Sequence, residues 1–217
     1  MDLLIYCAGG FGKEVMDTAR RRNRVSSLWS RIEFVDDFVS EPFKYGAPVH
    51  KFDDGLRADL ARVEFVIASG EPEGRRLLAE KLAATGARLG RVIDPSVIVA
   101  ETAHIADGVV VTPFCSISSD ARLGQNCCVN TSSIIGHDVT IGENTVISSM
   151  VNVGGHTCIG CNSYVGMGAL IKDKLTIGSS TIIGMASAVH SDIPPEVIAL
   201  GNPARVARPN IEKRVFR

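Results

Sequence analysis

An aliphatic residue stands at every sixth position from Ile93 to Val189, through Val111, Val129, Ile147 and Val165 among others, and none of the 17 positions is missed. A period of six matches neither an α-helix, near 3.6, nor an alternating strand, at 2. It is the period of a parallel β-solenoid, in which short strands turn corners and successive coils stack. With three hexads to a coil, residues eighteen apart stack, and each face of the prism can be written down.

The aliphatics point inward. Four positions after them come mostly small residues, among them Cys115, Ala121, Ser133, Thr145, Ser163 and Ser187. Eight aliphatics are followed directly by glycine, as in Gly136, Gly154 and Gly166, which is expected to serve corners of unusual dihedrals. The outward strand positions give one apolar face (Val110, Cys128, Val146, Tyr164, Ile182), one wet face (His104, Arg122, Thr140, Cys158, Thr176) and one mixed face (Ile98, Ser116, Ile134, Asn152, Leu170, Ala188). An exposed apolar stripe is uncommon on monomers, so the apolar face is expected to make subunit contacts in a homo-oligomer.

Residues 1 to about 92 lack the hexad and read as a small α/β unit. A first strand, Leu3 to Cys7, runs through Gly9, Gly10, Phe11 and Gly12 into a helix from Lys13 to about Arg22. Such a turn presents backbone N–H groups at a helix N-terminus, where a phosphate can sit; glycines also serve tight turns that hold no ligand. A second strand, Ile32 to Val35, ends in Asp36 and Asp37. Carboxylates there either bind ribose or base groups or cap a loop. A third, Phe65 to Ala68, leads into a helix from about Glu73 to Ala84. The expected organisation is a Rossmann-like domain over 1–92, the solenoid over 93–190 and a tail over 191–217.

A net charge of −1 argues against general nucleic-acid binding. The basic run Arg20, Arg21, Arg22, Arg24 falls where the first helix should end and where cations suit its dipole. No stretch is long and apolar enough for a membrane span, and the opening residues lack the features of a signal peptide, so a cytoplasmic location is expected. The six cysteines form no framework and are expected to be reduced; Cys158 and Cys161 lack the second pair that would complete a zinc site. No metal is expected.

Of five histidines, His137 lies two positions after its aliphatic and so faces outward at a corner, with Gly155 one coil away. An imidazole can take a proton from an amine or hydroxyl near neutral pH, a neighbouring N–H can hold a developing oxyanion, and Asp138 can orient the ring. A solvent-exposed corner residue without a catalytic role satisfies the same spacing.

The run from Asn130 to Asp138 (NTSSIIGHD), the segments AGGFG and VDDF, and the closing Gly201, Asn202, Pro203, Ala204, Arg205 together resemble the bacterial hexapeptide-repeat sugar acetyltransferases. The nearest branch holds the nucleotide-linked 4-amino-sugar N-acetyltransferases and the sialic acid O-acetyltransferases. The resemblance implies a left-handed β-helix, a homotrimer, and acetyl-CoA in the cleft between neighbouring prisms. It also implies His137 as general base, Asp138 as its partner, Asn130 as a substrate contact and Gly155 as the amide facing the thioester carbonyl. Acetyl-CoA would further meet Met167, Gly201, Pro203, Ala204 and Arg205. A nucleotide-linked amino sugar would meet Gly9, Gly10, Phe11, Gly12, Asp36 and Asp37. The chain departs from the family at Phe11, where histidine is common, and at Glu71, Pro72 and Glu73, where an asparagine is common.

Three rivals follow from the same residues. A sugar O-acetyltransferase would use the same base and cleft. A zinc-dependent carbonic anhydrase of the γ type needs three converging histidines, and the phases of His104, His137 and His156 are not expected to gather them. A non-catalytic solenoid scaffold would need none of these groups.

Overall fold

A computed structural model describes residues 1–53 and 60–216. The α/β unit is a six-stranded sheet in the order β3-β4-β2-β1-β5-β6. Its strands are β1 (Asp2–Tyr6), β2 (Ile32–Val35), β3 (Phe43–Lys44), β4 (Ala47–His50), β5 (Val63–Ile67) and β6 (Arg88–Leu89). All pair in parallel except β3 with β4. β1 lies between β2 and β5, so the loops leaving β1 and β5 part at its carboxyl end, the place where open α/β sheets bind ligands. Helices α1 (Gly10–Ser26) and α2 (Pro72–Ala83) follow those loops.

Helix α1 is longer than the pattern predicts. It starts on the glycines and runs through the arginine cluster to Ser27, a left-handed cap residue whose N–H bonds Asn23 O at 2.8 Å. Arginine is a good helix former, and two of these have partners: Arg20 donates to Tyr45 O, and Arg21 pairs with Asp94 at 2.6 Å. The cluster therefore ties the helix down as well as suiting its dipole.

The solenoid consists of two-residue strands from β7 (Val92–Ile93) to β23 (Ala188–Val189), stacked in three parallel sheets with partners eighteen residues apart. The hexad aliphatics from Val111 to Val189 are buried, while Val99 in the first coil is 38% exposed. The small residues beside them are buried too, and their hydroxyls are satisfied within the prism. Ser133 Oγ donates to Ser148 O and Thr145 Oγ1 to Gly160 O, both at 2.8 Å. A hairpin of β24 (Val197–Gly201) and β25 (Ala204–Pro209) closes the end of the prism beside β22 (Ile182–Ile183).

Two expectations are corrected here. The glycines that follow the aliphatics do not carry the corner dihedral. Left-handed φ values, between 53° and 77°, fall instead at every sixth residue from Gly108 to Ala186, three positions after each aliphatic, and include Asn126, Asp138, Asn144, His156 and Asn162. Those glycines answer a different demand: a Cβ at Gly154 would lie 2.4 Å from the backbone nitrogen of Asp173 in the next coil.

The second correction concerns the apolar face. Val110, Cys128 and Val146 are essentially fully buried, but against Leu3, Val15, Met16 and Phe34 of the same chain. The α/β unit covers that face, so it is not free for subunit contacts. Exposed aliphatics lie on the mixed face instead, with Ile98 at 71% and Leu170 at 56%. A buried arginine fastens the two units together. Arg75 of α2 donates to Ile67 O at 2.7 Å and Ser69 O at 3.1 Å on its own side, and to Asn126 O at 2.8 Å and Asn126 Oδ1 at 2.9 Å on the solenoid.

Candidate functional site

His137 sits at the corner between β14 (Ile134–Ile135) and β15 (Thr140–Ile141), and its side chain is 60% exposed. Its Nδ1 lies 2.7 Å from Asp138 Oδ2. With Nδ1–H donating to the carboxylate, the Nε2 lone pair is free to accept a proton. The hydrogen bond from His137, aided by the nearby imidazole of His156, holds the Asp138 carboxyl below the usual carboxylate range. Asp138 thus stays an acceptor that can fix the ring.

Gly155 packs one coil on, against the imidazole. A Cβ there would lie 2.6 Å from His137 Nε2 and 2.7 Å from Cε1, so any side chain at 155 would displace the ring. The Gly155 N–H has no acceptor among the described residues, as suits a donor meant for a ligand.

A third group joins this corner that the spacing argument missed. His156 Nε2 lies 3.6 Å from Asp138 Oδ2, and the His137 and His156 rings meet edge to face, 4.9 Å between centroids. The donor atoms of His137, Asp138 and His156 all lie within 4.8 Å of one another, close enough to meet one cation. The three histidines do not converge, since His104 stays apart on the wet face beside Arg122; two of them, with a carboxylate, do. The signal was present in the sequence. Asp138 and His156 are eighteen apart and share the left-handed corner phase, one position beyond that of His137.

The remaining predicted residues lie elsewhere. Asn130 occupies the preceding corner of the same coil, after β13 (Cys128–Val129), where its Oδ1 accepts from Cys128 Sγ at 3.0 Å. Met167, 44% exposed, lies at a corner following the same apolar sheet, after β19 (Tyr164–Val165). Gly201, Pro203, Ala204 and Arg205 form the turn and start of the terminal hairpin, with a cis peptide bond at Asn202–Pro203. Within one chain, the predicted acetyl-CoA and acceptor residues are thus divided between two corners of the prism and the α/β unit.

In the glycine-rich turn, roles separate. Gly12 is required by packing, since a Cβ there would lie 2.2 Å from Cys7 O. Gly9 and Gly10 have nothing within 4 Å of a built Cβ, so their open surface is available to a ligand. Asp36 and Asp37 are committed to the chain. Burial works to raise the Asp36 carboxyl, yet N–H groups of Ala8, Phe38 and Val39 at 2.8–3.0 Å hold it low. Asp37 accepts from Tyr6 Oη, Lys81 Nζ and Phe52 N, which likewise outweigh its burial. Of the departures noted at the sequence level, Glu71 is used to hold the tail: its carboxylate accepts the N–H groups of Val215 and Phe216.

The buried thiols do not serve as nucleophiles. Burial pushes Cys115 up to about 11 and Cys127 up to about 12, and a protonated thiol in a packed core has no route to a substrate. No helix among the described residues is long and apolar enough to cross a membrane.

Residues 2–82 match the family described as the PglD N-terminal domain. Over nearly the whole chain, the structure is similar to PerB from Caulobacter crescentus in complex with CoA and GDP-perosamine: TM-score 0.85 and 27% identity, over 95% of this chain and 97% of that one. It is similar also to the acetyltransferase domain of PglB from Neisseria gonorrhoeae in complex with acetyl coenzyme A (0.88, 29%, 94% and 98%). A third likeness is to WeeI from Acinetobacter baumannii (0.87, 29%, 95% and 99%). No curated protein matches the chain in sequence. The solenoid is accordingly a left-handed parallel β-helix of the acetyltransferase kind.

Proposed function

We propose that this chain, an acetyl-CoA-dependent acyltransferase similar to the bacterial sugar acetyltransferases, acetylates the amine of a nucleotide-linked amino sugar, a 4-amino-deoxysugar, for bacterial surface glycan. The observation that carries this reading is the His137–Asp138 pair pressed against Gly155, with a free N–H beside a free imidazole nitrogen.

In the proposed reaction the acceptor nitrogen attacks the thioester carbonyl while His137 Nε2 takes its proton. Gly155 N–H steadies the tetrahedral oxyanion. As the C–S bond breaks, the imidazolium returns a proton to the CoA sulfur, and Asp138 keeps the ring oriented throughout. No acyl-enzyme forms and no metal takes part. CoA lies along Met167 and the hairpin residues Gly201, Pro203, Ala204 and Arg205, while Asn130 contacts the acceptor. Because these residues are split between corners, the site is completed between copies packed side by side as a homotrimer, in the cytoplasm. Gly9, Gly10 and Phe11 meet the nucleotide sugar across the surface that Gly12 allows; Asp36 and Asp37 act by shaping the adjoining loop.

The test is acetyl-CoA turnover with UDP-, GDP- and dTDP-linked 4-amino sugars, read by mass spectrometry for wild type and His137→Ala. Loss of about 10²–10⁴ in rate is expected for the variant. An undiminished rate removes the base; a product on hydroxyl sugars alone replaces N- with O-acetylation; no product from any sugar returns the protein to a scaffold.

A further inference from the structure

His156 has no part in the transfer just described, yet the fold places it with care. Asp138 and His156 occupy the left-handed position of successive coils, with φ of 60° and 57°. The coil of His156 is pinned to that of Asp138, His156 N–H donating to His137 O at 2.9 Å, and Asp138 N–H ties its own coil to the one before, donating to Ser119 O at 3.0 Å. Three donor side chains are therefore brought to one corner by a backbone that is already rigid.

We propose that His137, Asp138 and His156 form a binding site for a divalent transition metal, Zn²⁺ first, and that the ion arrests acetyl transfer by occupying the base. Two imidazoles and a carboxylate are the donor set of zinc and its neighbours, whereas Mg²⁺ and Ca²⁺ take oxygen cages. Tetrahedral zinc with bonds near 2.0–2.2 Å places its ligand atoms roughly 3.4 Å apart. Asp138 Oδ2 and His156 Nε2 already stand 3.6 Å apart. The 2.7 Å contact from His137 Nδ1 to Asp138 is a hydrogen bond; it opens when an ion takes Nδ1, and the imidazole proton then resides on Nε2, the atom the transfer needs free. The three side chains are 60%, 42% and 52% exposed, so an ion has a path in and a fourth position remains for water.

The arrest, unlike the binding, rests on the reading of His137 as the base. An ion held at this corner, beside Gly155, takes the imidazole that must accept the amine's proton. Zinc acts here as an inhibitor that a chelator reverses, and the transfer itself stays metal-free.

The experiment begins with full-length, metal-stripped protein titrated with Co²⁺, read by visible absorption, and with Zn²⁺, read by calorimetry. One ion per chain is expected, with a tetrahedral Co²⁺ spectrum. His156→Asn is the informative variant, because asparagine already fills the same left-handed phase at Asn126, Asn144 and Asn162, so the corner keeps its backbone. Its affinity should fall roughly tenfold or more, and Zn²⁺ inhibition of acetyl transfer should weaken in step, with a chelator restoring wild-type rate. Absence of stoichiometric Co²⁺ binding, or equal affinity in wild type and His156→Asn, overturns the site. Stoichiometric binding with no inhibition overturns the arrest. If His137→Ala keeps its rate, the base reading fails by itself, and the Co²⁺ titration, which needs no turnover, still decides the metal site.

Discussion

The two halves of this chain reach order by opposite routes. In the solenoid every coil repeats its neighbour, each strand pairs with one eighteen residues away, and one aliphatic per strand fills a prism too narrow for more. In the α/β unit no contact repeats: β1 is flanked by β2 and β5, and the loops between them are held by single side chains such as Asp36, Asp37 and Arg75. The repetitive half carries the proposed proton-transfer corner and the other half carries the surface expected to choose the acceptor. A rigid, register-locked scaffold suits groups that must meet within tenths of an ångström. A unit of varied loops suits recognition, which tolerates change.

The joint between the halves is the place to break this comparison. Arg75→Met would orphan the carbonyls of Ile67 and Asn126, at about 1–3 kcal/mol each, and burial already works against the Arg75 charge. Trp29, the single tryptophan, is buried in the α/β unit. Its fluorescence should therefore report unfolding at lower urea than the far-ultraviolet signal of the solenoid, whereas the two coincide in wild type if the halves unfold as one. Next in size is Gly155→Ala. Its methyl would fall on the His137 imidazole, and kcat should drop about 10²–10³ while the melting temperature and the KM for the nucleotide sugar hold. A large KM change would place 155 in acceptor binding instead.

A smaller effect sharpens the contrast. Ile147→Val and Ile5→Val each remove one buried methylene at about 0.5–1.5 kcal/mol. Hydrogen exchange should rise in the coils next to residue 147 alone, because a solenoid is held by neighbour terms, and across the whole sheet around residue 5. The smallest is a response to acid. Asp36, Asp37 and Asp94 have folded pKa values lowered against their burial by the hydrogen bonds they accept. The stability they supply is complete above the ordinary aspartate value of about 3.9 and is lost as pH falls through the lowered values. Trp29 emission should shift on acidification below about pH 4 before the solenoid signal changes; the reverse order would mean the junction and the α/β unit do not depend on these carboxylates.

Much of the solenoid was legible because its determinants are periodic. The aliphatic phase, the small inward phase and the outward position of His137 beside Gly155 all follow from counting in sixes and eighteens. The same count holds His156 over Asp138, so that cluster was readable in principle, had the corner phase three residues after the aliphatic been followed. The role of the corner glycines was not readable. Tight stacking and a left-handed φ both favour glycine, and only the backbone shows that stacking is the reason at Gly154 and that Asp138 takes the left-handed turn.

The α/β unit was legible in outline only. Three of its six strands (β1, β2 and β5) and helices α1 and α2 declared themselves, with ends off by a few residues, because runs of apolar residues and a glycine turn are local signals; the short β3, β4 and β6 did not. What Asp36 and Asp37 do is only partly local: Asp36 accepts from Phe38 and Val39 close by, but the partners Ala8, Tyr6 and Lys81 lie about thirty to forty residues away. The sequence therefore determined by itself the prism, its register and the corner on which the imidazole stands, since each depends on neighbours at a fixed distance along the chain. Only the tertiary structure decided that the apolar face closes against the chain's own α/β unit, that Arg75 fastens the two, and that Asp36 and Asp37 accept from distant groups of the chain itself. Those contacts join segments with no shared period, and their energy exists only once both sides are folded and facing.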